Sequence, residues 1–378
     1  MSDSPTAPAN YDNYNNFCPK PQTAWHYPYY SNFFQFQLQF LSIPTPISFS
    51  PNLLIRNGLL IRSSSIVLPA AILSGALLYL IGRELPFPAD VRGQLLRFVE
   101  FLQPALLFCM LFVAFCKVSP KALKPKRLHL WLALIQSGAF ALCCLLLWFF
   151  PETRYIHVIE GFMLAMLCPT ATACSVITQK LGGDAGITTS YTIFICLIVA
   201  VIAPLLLPIA STRHDLAFFP TFLLIIKKVF PLLLIPLALA WAARYLTPRL
   251  HQRIISIHNL AFYMWVVALA LAISVTVRAL VHSHTSWIHI MGIAAATLMA
   301  CILQFWLGKK IGSRYGLRLE GGQALGQKNT IFIIWLGYTF LSPISATAGG
   351  FYSIWHNLVN SWQLYRKQKT DEKASSHN

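Results

Sequence analysis

Apolar runs of about 20 residues, the length that an α-helix needs to cross the hydrocarbon core of a bilayer, recur along this chain. In lipid a helix satisfies its own backbone amide and carbonyl groups. Only 11% of the residues are charged, against roughly 25% in soluble domains. The pattern predicts an all-α integral membrane protein with ten spans, at residues 65–82, 97–116, 128–150, 159–180, 186–210, 229–246, 258–280, 287–308, 321–341 and 349–365.

The formal net charge is +17, which in a soluble protein would indicate a nucleic-acid partner. Here the basic residues fall in short clusters between the apolar runs, as topology signals do. Most of them collect on one side of the predicted layout. The positive-inside rule therefore predicts cytoplasmic N and C termini, with the lipid bilayer as the partner surface and no nucleic acid.

Residues 1–64 are rich in Tyr, Asn, Phe and Pro and change character sharply at about residue 65. We interpret them as a poorly ordered N-terminal tail, and whether residues 1–60 belong to the mature protein stays open. Residues 65–366 form the predicted transmembrane domain, and residues 367–378 form a short cytoplasmic tail.

Short similarities divide the transmembrane domain into two halves. The stretches that begin at Val67 and Val229 open alike, and "EGFMLAMLCPTATA" from Glu160 resembles "EGGQALGQKNTIF" from Glu320 in its small and polar residues. The offsets are similar, and each half contains five spans. An odd number of spans predicts that the second copy, 219–366, is inverted relative to the first, 65–210. Inverted repeats are a recurring architecture of secondary transporters.

The fourth predicted span carries an unusually polar segment, "LCPTATACSVITQKLGGDAGITTSYT" at residues 167–192. Its Pro169 and paired glycines predict a broken helix, which must be buried in protein or line a wet cavity. An alternative is that the small residues serve only helix packing. The hydroxyl oxygens suit a hard cation or a polar group of a substrate, and they belong to Thr170, Thr172, Ser175, Thr188 and Thr192.

Three motifs carry a resemblance to a known family. "CPTATACSV" followed by "GGDAGIT", the segment "GGQALGQKNT", and "PKALKPKRLHLWLALIQ" ending at Gln136 are similar to the bile acid:sodium symporter family, including its bacterial members. The resemblance covers roughly residues 65–366. It implies ten helices in two inverted five-helix repeats, with a panel domain and a core domain in which helices four and nine are broken and cross. It also implies a multi-pass protein of the bacterial inner membrane.

The resemblance also implies ion-binding residues. One sodium site would fall on Cys174, Ser175, Thr188 and Thr192, and a second on Gln136, Gln323 and Gln327, with Gln323 shared. Lys328 and Asn329 extend the candidate substrate- or ion-binding set, together with Thr170 and Thr172. Two positions depart from the family: Gln323 stands where sodium-coupled members have Glu, and Lys328 stands where they have Asn. Cys174 is in addition a poor ligand for a hard cation, so these departures argue against sodium, which is the only cofactor that the resemblance implies.

Lys328 lies inside the polar ninth span, where a charge costs about 3 kcal/mol on insertion scales and points to function. In one hypothesis its ammonium occupies the vacated sodium position and couples transport to protonation. In a second it faces the cavity and pairs with an anionic substrate, assisted by the N-terminal ends of the broken helices. In a third it snorkels to the interface or hydrogen-bonds unwound carbonyls without touching a substrate.

These features together predict a secondary active transporter of a small organic, anionic solute, working by alternating access and coupled to sodium or protons. The alternative is a channel-like or sensor membrane protein without coupled transport. An enzyme is not expected, because the "LGGD" at 181–184 would need a second intramembrane Asp to act as an aspartyl protease. The other aspartates fall in predicted tails or loops, at Asp3, Asp12, Asp90, Asp215 and Asp371.

Overall fold

Helices account for all the regular secondary structure in the part of the chain that the computed structural model describes, which is residues 58–120, 123, 125–210, 217–257, 260–283 and 285–376. Thirteen helices, and no named strand, occur in these residues. They are α1 Gly58–Glu84, α2 Ala89–Cys116, α3 Arg127–Phe149, α4 Ile156–Leu167, α5 Cys174–Lys180, α6 Ala185–Ala210, α7 Phe218–Leu246, α8 Pro248–Ser256, α9 Leu260–His282, α10 Trp287–Ser313, α11 Arg318–Gly326, α12 Thr330–Phe340 and α13 Pro343–Ser376.

Six of the described helices are long and apolar enough to cross a membrane, namely α2, α3, α6, α7, α9 and α10. Two shorter apolar helices, α4 and α12, accompany them. The prediction of an all-helical, multi-pass membrane protein is confirmed.

Several boundaries differ from the sequence prediction. The predicted tail lies outside the described residues up to 57, and α1 begins at Gly58 rather than at 65. The last helix continues to Ser376 instead of ending near 366, because pairs such as Lys367 with Asp371, at 2.7 Å, support its final turns. The sixth span begins at Phe218 as part of one continuous helix, which places Lys228 inside α7.

The fourth and ninth predicted spans are each divided into two helices. α4 ends before Pro169, whose ring disfavours helical geometry in the residue that precedes it, and α5 starts only at Cys174. The two breaks meet, with Thr170 and Lys328 forming an antiparallel bridge. The Ala171 N–H donates to the Gln327 carbonyl at 3.2 Å, and the Asn329 N–H donates to the Pro169 carbonyl at 2.9 Å. Backbone groups that lipid could not satisfy therefore satisfy one another.

The first half of the ninth span, α11, folds back tightly against α10. A Cβ atom built on Gly308 would lie 2.2 Å from the Gly321 carbonyl oxygen, and one on Gly312 would lie 2.2 Å from the Leu317 carbonyl oxygen. Small residues are what allow the backbones of membrane helices to approach this closely.

Two buried glutamates make reciprocal contacts between the divided spans. Glu160, on α4, accepts a hydrogen bond from Ser345 Oγ, in the first turn of α13, and pairs with His157 Nδ1 at 3.1 Å. Glu320, on α11, accepts a hydrogen bond at Oε1 from the Asp184 N–H, which follows α5, at 2.8 Å. Glu160 thus links the first half of the fourth span to the helix that follows the ninth span, and Glu320 links the first half of the ninth span to the segment that follows the fourth.

Candidate functional site

The meeting point of the two breaks contains a lysine with no exposed surface. Lys328 is 0% exposed, and its Nζ donates a hydrogen bond to Oε1 of Gln136 at 2.6 Å. Its backbone N–H donates to Nδ1 of His356 at 3.4 Å. Lys328 takes part in none of the ion pairs that the described residues form. A side chain held in this way does not snorkel to the membrane interface.

Gln136 connects α3 to the break in the fourth span. Its Nε2 donates to the carbonyls of Leu167 and Cys168, at 3.0 and 2.9 Å, where α4 ends. Its Oε1 accepts from the Lys328 ammonium and from the Tyr191 hydroxyl, the latter at 3.3 Å. The Gln136 amide nitrogen therefore satisfies two backbone carbonyls at the end of α4. These hydrogen bonds orient the amide oxygen toward the Lys328 ammonium.

Two thiols lie near the ammonium. Cys168 and Cys174 both interact electrostatically with Lys328. The Cys168 Sγ donates to the Asn329 carbonyl at 2.9 Å, and the Asn329 side chain caps α12 by accepting from the Phe332 N–H at 3.3 Å. Cys174, predicted as a sodium ligand, thus lies near the Lys328 ammonium.

The remaining predicted glutamines form a chain of amides. Gln327 Nε2 donates to Gln323 Oε1, and Gln323 Nε2 donates to Gln363 Oε1 at 3.2 Å. Gln323 and Gln327 are both buried. Their arrangement extends the polar interior from the break in the ninth span to α13.

The predicted hydroxyl residues lie in the fourth span and in α6, and three of them donate to backbone carbonyls. Thr170 Oγ1 donates to the Ala324 carbonyl at 2.7 Å and so links the two divided spans. Thr188 and Thr192 donate to carbonyls of their own helix, those of Ala185 and Thr188, at 3.1 and 2.9 Å. Two further hydroxyl residues are partly buried near the break, Thr172 and Ser175.

The donor set does not fit a bound sodium ion. A hard cation needs several free oxygen lone pairs, whereas Oε1 of Gln136 already accepts from an ammonium and Oε1 of Gln323 accepts from Gln327. The predicted set contains no carboxylate. A positive charge that belongs to the chain itself, that of Lys328, lies among these residues.

Sequence reasoning missed three buried partners of the site, which are Tyr191, His356 and Gln363. Tyr191 adjoins Thr192 in the sequence "SYT", so its polar hydroxyl in an apolar span was a usable signal. His356 and Gln363 are likewise polar residues inside the predicted tenth span, but which groups they contact arises only from the packing of α13 against the divided spans.

Comparison with curated proteins gave no match. Residues 104–283 match the family model described as the Sodium Bile acid symporter family. The matched region contains Gln136, the divided fourth span and Tyr191. On this match, residues 104–283 of the chain are similar to the Sodium Bile acid symporter family.

Proposed function

We propose that this chain is a secondary active transporter of a small organic solute that carries an anionic group, and that it works by alternating access. The family match supports a membrane transporter. The observation that carries the proposal is the contact between two divided spans at a buried lysine, because discontinuous helices in transporters form substrate and ion sites near the membrane midplane.

The proposed architecture is ten spans in two inverted five-helix repeats. The reciprocal contacts of Glu160 and Glu320 support it. A Tyr–Gln pair that occurs once in each half also supports it. In the first half, the Tyr191 hydroxyl donates to Gln136, and Gln136 donates to backbone carbonyls where α4 ends. In the second half, Gln304 Nε2 donates to the Tyr352 hydroxyl at 3.1 Å, and that hydroxyl donates to the Gly326 carbonyl, where α11 ends, at 2.8 Å. In this arrangement α1, α2 and α7–α9 form the panel, and α3–α6 and α10–α13 form the core.

The proposed orientation places both termini in the cytoplasm of a bacterial inner membrane. It rests on the asymmetric distribution of Lys and Arg between the spans. Alternating access would then move the core against the panel, exposing the divided spans to one side at a time.

We further propose that Lys328 supplies the cation that a sodium ion would otherwise supply, so that a proton held at its Nζ couples the transport cycle. The titratable groups that face it are Cys168 and Cys174, with His356 at its backbone N–H and Tyr191 on the far side of the Gln136 oxygen. None of these is a carboxylate, which leaves the Gln136 dipole as the principal acceptor.

The test is accumulation of solutes by proteoliposomes. Purified protein would be reconstituted and exposed to a defined mixture of small carboxylates and amino acids, with a sodium gradient, a proton gradient or neither, and the contents analysed by mass spectrometry. We expect at least one solute to accumulate above equilibrium under a proton gradient. Lys328→Met should abolish that accumulation, whereas Lys369→Met, at an exposed position of α13, should not.

Other outcomes separate the alternatives. Rapid equilibration without a gradient would identify a channel. Accumulation under the sodium gradient alone would overturn the role assigned to Lys328. Failure of every solute under every gradient, with correctly folded protein, would overturn the transport proposal.

A further inference from the structure

A cavity of about 540 Å³ lies away from Lys328, where α2 and α7 face the end of α12. Its volume falls within the roughly 300–1,000 Å³ that is usual for small-molecule sites. Residues of all three helices line it, including Glu100, Gln103, Lys228, Trp335 and Tyr338. It therefore spans the proposed boundary between panel and core.

Two opposite charges line this cavity without pairing with each other. Glu100 and Lys228 occur in none of the ion pairs that the described residues form. Each lies roughly 15 Å along its helix from the first residue, at 1.5 Å per residue, and both helices are candidate spans. Charged side chains inside spans are costly and usually mark a substrate pathway.

A buried amide in the same cavity lacks a partner. Gln103 is 4% exposed, and its Nε2 has no hydrogen-bond partner among the described residues. It follows Glu100 by three positions on α2, so both side chains lie on one helix face. Pro104 lacks an N–H, which also deprives the Glu100 carbonyl of its helical donor. A buried donor of this kind is normally satisfied, and a bound solute would satisfy it.

The wall of the cavity on α12 is aromatic. Trp335 packs edge-on against Phe340, with ring centroids 5.9 Å apart, and Lys228 Nζ lies 5.8 Å from the centroid of the Phe340 ring. Tyr338 is in the last turn of α12, where helix carbonyls favour a cation. Ring faces favour cations as well. The lining thus contains groups that suit a cation, Glu100 and the Trp335 ring, and groups that suit an anion, Lys228 and Gln103.

We propose that this cavity binds a small zwitterionic solute, with its ammonium group facing Glu100 and its carboxylate facing Lys228 and Gln103. This inference rests on the proposed function and narrows its substrate class to amino-acid-like solutes. Separate subsites for the two charges agree with the absence of Glu100 and Lys228 from the ion pairs of the described residues.

The test compares zwitterions with singly charged analogues of the same chain length. Thermal unfolding of the purified full chain in detergent would be followed with ω-amino acids from glycine through γ-aminobutyrate to ε-aminocaproate, and with the corresponding alkanoates and alkylammonium ions. We expect at least one ω-amino acid to raise Tm more than either of its analogues does. If none does at any chain length, the proposal is overturned.

Variants assign the two charges. In Glu100→Gln the zwitterion should lose its advantage over the alkanoate, and in Lys228→Met it should lose its advantage over the alkylammonium ion. The matched control is Lys227→Met, since Lys227 is exposed beside Lys228 but does not line the cavity. Full discrimination in Glu100→Gln, with an unchanged baseline Tm, would contradict the proposal.

The two proposals fail separately. If proteoliposomes accumulate only alkanoates and zwitterions give no greater shift, the transporter stands and the zwitterion assignment is overturned. If a zwitterion binds with the expected variant pattern but no solute accumulates under any gradient, the cavity assignment stands and the transport proposal is overturned.

Discussion

Lys328 donates a hydrogen bond from Nζ to Oε1 of Gln136 across 2.6 Å, and the two residues are 192 positions apart in the chain. Both side chains are buried. Since the acceptor is a neutral amide, the positive charge is balanced by dipoles rather than by a carboxylate. Such a site has little reason to bind a second cation.

The first prediction concerns sodium. Lys328→Asn removes the ammonium and installs the residue found at this position in sodium-coupled members of the family that the sequence resembles. We expect the variant to gain stabilisation by sodium, while the wild type shows none. A ligand at about a hundred times its dissociation constant stabilises by about 2.7 kcal/mol. The measurement is thermal unfolding with sodium replaced by choline at constant ionic strength.

Lys369→Asn, on the exposed last part of α13, is the control for removing one positive charge. A wild-type protein that sodium stabilises as strongly as it stabilises Lys328→Asn would show that the lysine and the ion do not compete.

The second prediction tests the hydrogen bond itself. Gln136→Leu strands a buried ammonium and two carbonyls, so the free energy of unfolding should fall by about 3 kcal/mol. Combining it with Lys328→Met should recover part of that loss, because the stranded charge is then absent. Chemical unfolding of the two single variants and the double variant gives the coupling energy. Strictly additive losses would mean that the two side chains do not interact.

A third prediction concerns the reciprocal glutamates. Glu320→Ala leaves the Asp184 N–H without its acceptor, and we expect a loss of about 1–3 kcal/mol. Glu320→Gln retains an oxygen at the same place and should lose less. Glu152→Ala, at an exposed position, is the control and should be close to neutral. Equal losses for the Ala and Gln variants would assign the effect to the charge rather than to the hydrogen bond.

The fourth prediction compares two helical glycines. Gly308→Ala drives a methyl group against the Gly321 carbonyl and should cost about 1–3 kcal/mol by overpacking α10 against α11. Gly138→Ala, on α3, meets nothing within 4 Å, so it should stabilise by up to about 1 kcal/mol through helix propensity. Opposite signs in thermal unfolding are expected. A neutral Gly308→Ala would show that α10 and α11 can separate at little cost.

Local sequence contains enough to predict an all-helical membrane protein with several spans and a break in the fourth of them. Run length sets the spans, and Pro169 stops the fourth one because the ring removes a donor and crowds the preceding residue. The polar sequence around Gln323 and Lys328 marks the ninth. Each of these signals comes from residues close together in the chain, so one sequence is sufficient to identify it.

Partners from distant segments could not be predicted in this way. The Lys328–Gln136 contact, the role of Gln363 and the cavity near Glu100 depend on which helix faces meet, and no spacing in the chain states that. Lys228 falls outside the predicted sixth span, which begins at residue 229, whereas α7 continues back to Phe218. An apolar run gives the minimum extent of a helix and leaves its polar ends undefined.

The backbone bridge between Thr170 and Lys328 has a consequence for biogenesis. The chain is made from its N terminus, so the fourth span reaches the membrane while the partners of its Pro169 carbonyl and Ala171 N–H, at Asn329 and Gln327, have yet to be synthesised. Bare backbone groups are not tolerated in lipid. The N-terminal half of the protein therefore reaches its final structure only after the C-terminal half is made. Until then its fourth span stays inside the insertion machinery or adopts a different backbone geometry. A translation product truncated before residue 327 should be degraded by membrane quality control.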